Sequence, residues 1–200
     1  MYDRQKHHRR SVRLHGYDYS QPGEYFLTLC VQDMNNLFGR VVDGQTELSP
    51  CGKIVDEEWH GSARIRREIE LDEWVVMPNH VHGIVRIVGA SRVAPAVRAQ
   101  GLAPLRPPLR IPMRPPRSLA SFVWGFKAAV TKRINAMRHT PGSVVWQRNY
   151  YEHIIRNPAE LEKIRAYIRE NPLRWACDRY NPERGLLVIS GDGRVMPWEM

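Results

Sequence analysis

Residues 69–88 read IELDEWVVMPNHVHGIVRIV, and this stretch decides the architecture. Two runs rich in β-branched residues, Ile69–Met77 and His80–Val88, flank a Pro78-Asn79 turn, which is the pattern of a β-hairpin. Working back along the chain, Glu24–Gln32 (EYFLTLCVQ) alternates with period two. Tyr25, Leu27, Leu29 and Val31 fall on one side, and Phe26, Thr28 and Cys30 on the other. A strand apolar on both faces belongs in the middle of a sheet. Between these, Asp43-Gly44 sits inside a short apolar stretch and predicts a second, small hairpin.

Helices separate the strands. Ser49-Pro50 opens one that runs to about Arg67, with Ile54, Val55, Trp59 and Ala63 on one stripe. Ser118–Met137 repeats Leu119, Phe122, Phe126, Val130, Ile134 and Met137 at spacings of three or four. Val144–Trp146 reads as a short strand. Asn157-Pro158-Ala159-Glu160 supplies an N-cap, a proline at the first helical position and an acid in the first turn. Leu161, Ile164 and Ile168 are the apolar stripe of that last helix, and Asn171-Pro172 stops it. A terminal hairpin is expected over Leu186–Ile189, turning at Gly191-Asp192-Gly193. The class is α+β, a mainly antiparallel sheet flanked by helices, in one domain over residues 1–200.

Charge is distributed unevenly along the 200 residues. Between Glu73 and Glu152 lie 78 residues without an acid, carrying a net charge of +12, so the remainder of a chain of net charge +9 is acidic by −3. A GC-rich genome enriches arginine and proline, but it does not remove acids. Concentrated positive charge is the footprint of a polyanion partner. Within that stretch, residues 89–117 hold seven prolines and six arginines and read as an inserted basic loop, while residues 1–16 read as a basic arm. No apolar run approaches the roughly 18 residues of a membrane span. Cys30, Cys51 and Cys177 are scattered, which argues against a disulfide scaffold or a cysteine zinc site and for a reducing, cytoplasmic setting.

The sharpest chemical feature is Met77-Pro78-Asn79-His80-Val81-His82. Two histidines two apart on a strand leave the same face and can converge on one metal ion, although such pairs are more often ordinary polar-face residues. Tyr167 and Asn171, spaced i, i+4, share one face of the last helix. Taken singly, the tyrosine reads better as half-buried packing and the asparagine as a stop signal.

Taken in order, these blocks resemble the REP-associated tyrosine transposases. Those belong to the insertion-sequence-200-like group of HUH single-strand DNA endonucleases, named for His-hydrophobic-His. The resemblance runs from Tyr25 to Trp175 and rests on YFLTLC (25–30), LFGRVVDG (37–44), LDEWVVMPNHVHGI (71–84), FKAAVTKRIN (126–135), VWQRNYYEHIIRN (145–157) and YIRENPLRW (167–175). It implies a ferredoxin-like or RRM-like fold and cleavage and rejoining of single-stranded DNA containing hairpins, through a 5′-phosphotyrosine intermediate. In that scheme Tyr167 is the nucleophile, and His80, His82 and Asn171 hold a divalent metal, Mg²⁺ or Mn²⁺. Many relatives outside the REP-associated branch carry Gln at the position of Asn171.

Contacts to DNA are expected from Arg86, Arg106, Arg110, Arg114, Arg117, Lys127, Lys132, Arg133 and Arg148, with His153 and Arg156 in support. Tyr150 and Tyr151 are rival nucleophiles for which stacking or packing is the better reading, and Trp124 and Trp146 are assigned to the core. The expected partner is DNA; some members of the group act as dimers with shared active sites and others as monomers, so the resemblance leaves both a homodimer and a monomer open. No membrane partner is expected, and the site of action is the cytoplasm, at the nucleoid. The alternatives are a non-catalytic hairpin-binding module of the same fold, or a relaxase or replication-initiator nuclease.

Overall fold

A computed structural model of the protein describes residues 17–88 and 117–184. The elements run β1 (Gly23–Cys30), β2 (Gly39–Val42), β3 (Gln45–Leu48), α1 (Pro50–Ile65), β4 (Ile69–Val76), β5 (His80–Ile87), α2 (Leu119–Arg138), β6 (Tyr151–Ile155) and α3 (Pro158–Glu170). A 3-10 helix, Pro172–Cys177, follows α3 directly. Four strands form one antiparallel sheet in the order β4-β5-β1-β6, and β2 and β3 form a separate two-stranded ribbon. The class expected from the sequence is therefore the class observed, with β1 inside the sheet.

Local chemistry explains these boundaries. Asp43 and Gly44 both adopt positive φ (49° and 73°), the backbone of a tight two-residue hairpin turn. Ser49 caps α1 by accepting from the Gly52 N–H at 3.1 Å. Asn157 caps α3 by accepting from the Glu160 N–H at 2.9 Å, with Pro158 in the first turn, where its missing donor costs nothing.

The period-two alternation of the strands separates two cores. Tyr25, Leu27, Leu29, Val81 and Val85 pack with Trp59 of α1 and with Phe122, Phe126, Val130 and Ile134 of α2. Gly83 permits this, because a Cβ there would lie 2.4 Å from the Trp59 ring. On the opposite face Phe26, Ile84 and Ile155 meet Leu161, Ile164 and Ile168 of α3. A bulge between Leu71 and Trp74 also ties α3 to β4. There Asp72 takes Arg165 at 2.5 Å and Glu73 takes Arg169 at 2.8 Å.

Several expectations need correction. The fourth strand is Tyr151–Ile155, not Val144–Trp146, where the backbone makes only an isolated bridge from Trp146 to Val31. Trp146 is in the core as expected, but Trp124 is 61% exposed and Met137 is 41% exposed at the end of the α2 stripe. The basic arm, the inserted loop with Arg106, Arg110 and Arg114, and the terminal hairpin lie outside the described residues.

Candidate active site

The site is built where β5, β1 and α3 meet. His80 and His82 are both fully buried, on the face that carries α3. Register places His82 opposite Thr28 and His80 opposite Cys30. Their Nε2 atoms are 3.1 Å apart, and the Tyr167 Oη lies 3.3 Å from Nε2 of His82. Three groups thus converge on one point.

Hydrogen bonds around the rings fix which nitrogens face that point. Asn79 Nδ2 donates to the carbonyls of Met34 (2.8 Å) and Tyr180 (2.7 Å), so its Oδ1 is an acceptor toward His80 Nδ1 at 2.9 Å. His80 therefore carries its proton on Nδ1 and offers a lone pair at Nε2. Thr28 Oγ1 lies 2.9 Å from Nδ1 of His82, and a hydrogen bond to the backbone of Leu27, the neighbour of Thr28, also engages that ring. Phe26 stacks on His82 with ring centroids 5.3 Å apart and meets Tyr167 edge-on at 6.0 Å.

Electrostatics keep the imidazoles neutral. Burial holds His80 well below the usual histidine range, reinforced by His82 and by the charge of Arg179. Burial likewise lowers His82 to about 3, with Arg179 adding to it and the Leu27 hydrogen bond opposing. Burial pushes the Tyr167 phenol up, as does the carboxylate of Asp178. A hydrogen bond from Asn171 and the charge of Arg179 pull it down, and Tyr180 raises it further. The phenol is thus protonated at neutral pH unless a further positive charge reaches it.

This donor set fits a divalent cation. Both imidazoles are neutral, with Nδ1 held by partners in the surrounding shell and Nε2 turned inward. Asn171 is 2% exposed, and its Oδ1 has no hydrogen-bond partner among the described residues. A donor set of one amide oxygen and two imidazole nitrogens suits Mn²⁺ and accommodates Mg²⁺. Among the described residues no group of three or more His, Cys, Asp or Glu side chains could hold a metal, and Asn171 is the amide that would add an oxygen to the histidine pair.

The other candidate residues are scattered. Arg86 lies on the same face as the histidines but is engaged by Glu24, by Glu70 at 3.3 Å and by Asp72 at 3.9 Å. Arg133 is paired with Glu57 and Glu58 on the α1–α2 side. Lys127 donates to the carbonyls of Gln147 and Asn149 on that same side. Arg117, Lys132 and Arg148 are exposed. His153 Nε2 is 2.7 Å from Glu160, whose other oxygen accepts from the Arg156 N–H, so this pair braces the β6–α3 junction. Tyr150 packs against the larger core, while Tyr151 packs beside Phe26 on the site face. The sequence reading missed Thr28, Asn79, Arg179 and Tyr180. Tyr180 lies against His80 at 4.7 Å between centroids. Register alone brings Thr28 in, and no spacing signal marks the others.

Comparison with known proteins agrees with this architecture. The chain belongs to one family with an uncharacterized protein of Haemophilus influenzae, 37% identical over 177 residues that cover 86% of this chain and 93% of that one. Its fold is also that of a REP-associated tyrosine transposase solved bound to a REP hairpin. That likeness has a TM-score of 0.53 at 18% identity and covers 82% of this chain and 74% of the other. No protein-family model matches the chain. No described helix is long and apolar enough to cross a membrane.

Proposed function

We propose that this protein is a transposase-like enzyme that cleaves and rejoins single-stranded DNA at hairpin-containing sites, with Tyr167 as nucleophile. The observation that carries the reading is the convergence of the Tyr167 hydroxyl, at 3.3 Å, on a histidine pair whose Nε2 atoms are 3.1 Å apart. A phenol aimed at two neutral imidazoles has no packing rationale, since Tyr167 could meet Phe26 without its oxygen.

His80, His82 and Asn171 would hold the divalent cation, which when bound supplies positive charge for the phosphodiester and the phenolate. The chain's own residues do the rest. Asn79 and Thr28 lock the two imidazoles in orientation. Ile164 and Ile168, both fully buried, fix the helix that aims Tyr167, and Asn171 holds its hydroxyl one turn further on. Tyr167 Oη forms a bond to phosphorus as the bond to the 3′ oxygen breaks. The phenol loses its proton, the leaving oxygen ends as a 3′-hydroxyl, and a 5′-phosphotyrosine remains. A second 3′-hydroxyl reverses the step, so the phosphodiester's energy is conserved and no nucleotide is consumed. The DNA hairpin bound by the transposase of the same fold supports the choice of substrate.

The test is incubation of the protein with labelled single-stranded hairpins from its own genomic flanks, with and without Mn²⁺. Chelator-sensitive cleavage that leaves label on the protein is the expected result. Intact DNA under all conditions, or cleavage indifferent to chelation, would contradict the reading.

A further inference from the structure

We propose that Arg179 is the phosphate-binding cation of this site, its guanidinium placed to contact the non-bridging oxygens of the phosphodiester that Tyr167 faces. The inference rests on the strand-transfer reading for its substrate, but the anion site itself stands on separate observations.

The first is position. Arg179 Nη2 donates to Tyr180 Oη at 2.8 Å, and the guanidinium carbon lies 4.7 Å from the centre of the Tyr180 ring. That ring in turn lies 4.7 Å from His80 and 6.4 Å from His82. The guanidinium is thus separated from the two imidazoles by the Tyr180 ring alone.

The second is the absence of a carboxylate partner. Arg86, Arg165, Arg169 and Arg174, on the same side of the molecule, all pair with Asp or Glu. Among the described residues Arg179 has no such ion pair, and Tyr180 is its only hydrogen-bond partner. The neighbouring acid, Asp178, accepts from the Tyr180 N–H at 2.7 Å and acts on the guanidinium through its charge, without forming an ion pair with it. The third observation is presentation. Tyr180 is tied down through its carbonyl by Asn79, and Asn181 donates to the Trp175 carbonyl at 3.1 Å. Arg179 itself remains exposed on this braced turn, open to a ligand arriving from solvent.

Chemistry then selects the ligand. A guanidinium is permanently charged and offers parallel N–H groups that match two oxygens of a phosphate. Charge grows on those oxygens as phosphoryl transfer proceeds, so a fixed cation there acts most strongly at the transition state.

Two measurements test this on the full chain. In the first, inorganic phosphate is titrated into chelator-treated protein while the imidazole resonances of His80 and His82 are followed. Arg179→Ala and Arg179→Gln are expected to need at least tenfold more phosphate for the same shift, and Arg179→Lys no more than threefold more. In the second, single-turnover cleavage is measured at saturating DNA. Arg179→Ala is expected to be about 10²–10³-fold slower with DNA affinity within threefold. That difference should collapse when a neutral methylphosphonate replaces the scissile phosphate. Phosphate binding unchanged in Arg179→Ala and Arg179→Gln, or an equal loss on both substrates, overturns the proposal. If the wild type cleaves nothing yet binds phosphate through Arg179, the anion site stands and the strand-transfer reading fails. Melting temperatures within two degrees of wild type establish that each variant is folded.

Discussion

The two faces of the sheet are made from the same strands yet bury different things. On the α1–α2 face β1 contributes Tyr25, Leu27 and Leu29, and the layer above is Trp59, Phe122, Phe126, Val130 and Ile134, an apolar core. On the α3 face the intervening residues of the same strands include Phe26, Thr28, His80 and His82, and the apolar cluster is much smaller. Burying polar groups costs free energy unless each finds a partner. The α3 face meets that cost with hydrogen bonds between the imidazoles and Thr28 and Asn79, and leaves Asn171 Oδ1 unsatisfied among the described residues. Stability is concentrated on one face, and the chemistry we propose on the other.

The largest expected effect isolates the α3 face. Tyr167→Phe removes one oxygen, keeps the ring against Phe26 and should reduce DNA cleavage to background while thermal stability barely moves. A Tyr167→Phe variant that unfolds would show that the hydroxyl is structural. The mirror experiment is Trp59→Ala on the other face. It should cost about 3–5 kcal/mol of stability by denaturant titration, yet leave cleavage per folded molecule near wild type. Loss of cleavage in fully folded Trp59→Ala would break the division between faces.

Acid sharpens the same contrast. The buried imidazoles have pKa values depressed below the ordinary 6.5, so the unfolded chain binds protons that the fold refuses. Their contribution is fully present above pH 6.5 and is lost as pH falls toward about 3, the value for His82. Stability in chelator should decline by up to about 1.4 kcal/mol per pH unit per histidine. His82→Gln should make that slope shallower, and an unchanged slope would contradict neutral burial of the ring.

Smaller effects follow. Asn171→Ala should lower cleavage less than loss of either histidine, with partial rescue by excess Mn²⁺ in a metal titration. Arg133→Ala removes an exposed pair with Glu57 and Glu58, and should change stability by less than about 1 kcal/mol. Because that arginine is committed to carboxylates on the face away from the histidines, the salt dependence of DNA binding should not change either.

Legibility in the sequence followed the same division. Period and turn chemistry sufficed for the β4–β5 hairpin, for α1, and for α3 with its Asn157 cap, because each is specified by neighbours in the chain. The shared face of His80 and His82 follows from period two alone, and that of Tyr167 and Asn171 from i, i+4. The fourth strand was misplaced because YEHII carries polar residues, Glu152 and His153, inside a strand at the edge of the sheet. Val144–Trp146 looked more apolar but makes only a bridge. Asn79, Thr28, Arg179 and Tyr180 were invisible for a different reason. Tyr180 reaches Asn79 across 101 positions of sequence, a contact that no local pattern encodes. On α2 a helical wheel shows that Arg133 leaves the apolar stripe, but not that Glu57 and Glu58 of α1 meet it there.

The most direct test of the central claim is the identity of the residue that becomes linked to DNA. A hairpin substrate labelled at the scissile phosphate is reacted with the protein and Mn²⁺, denatured and digested, and the labelled peptide is sequenced by mass spectrometry. The account predicts a single adduct on Tyr167, absent from Tyr167→Phe. An adduct on Tyr151, which shares the site face beside Phe26, or one that persists in Tyr167→Phe, would contradict it.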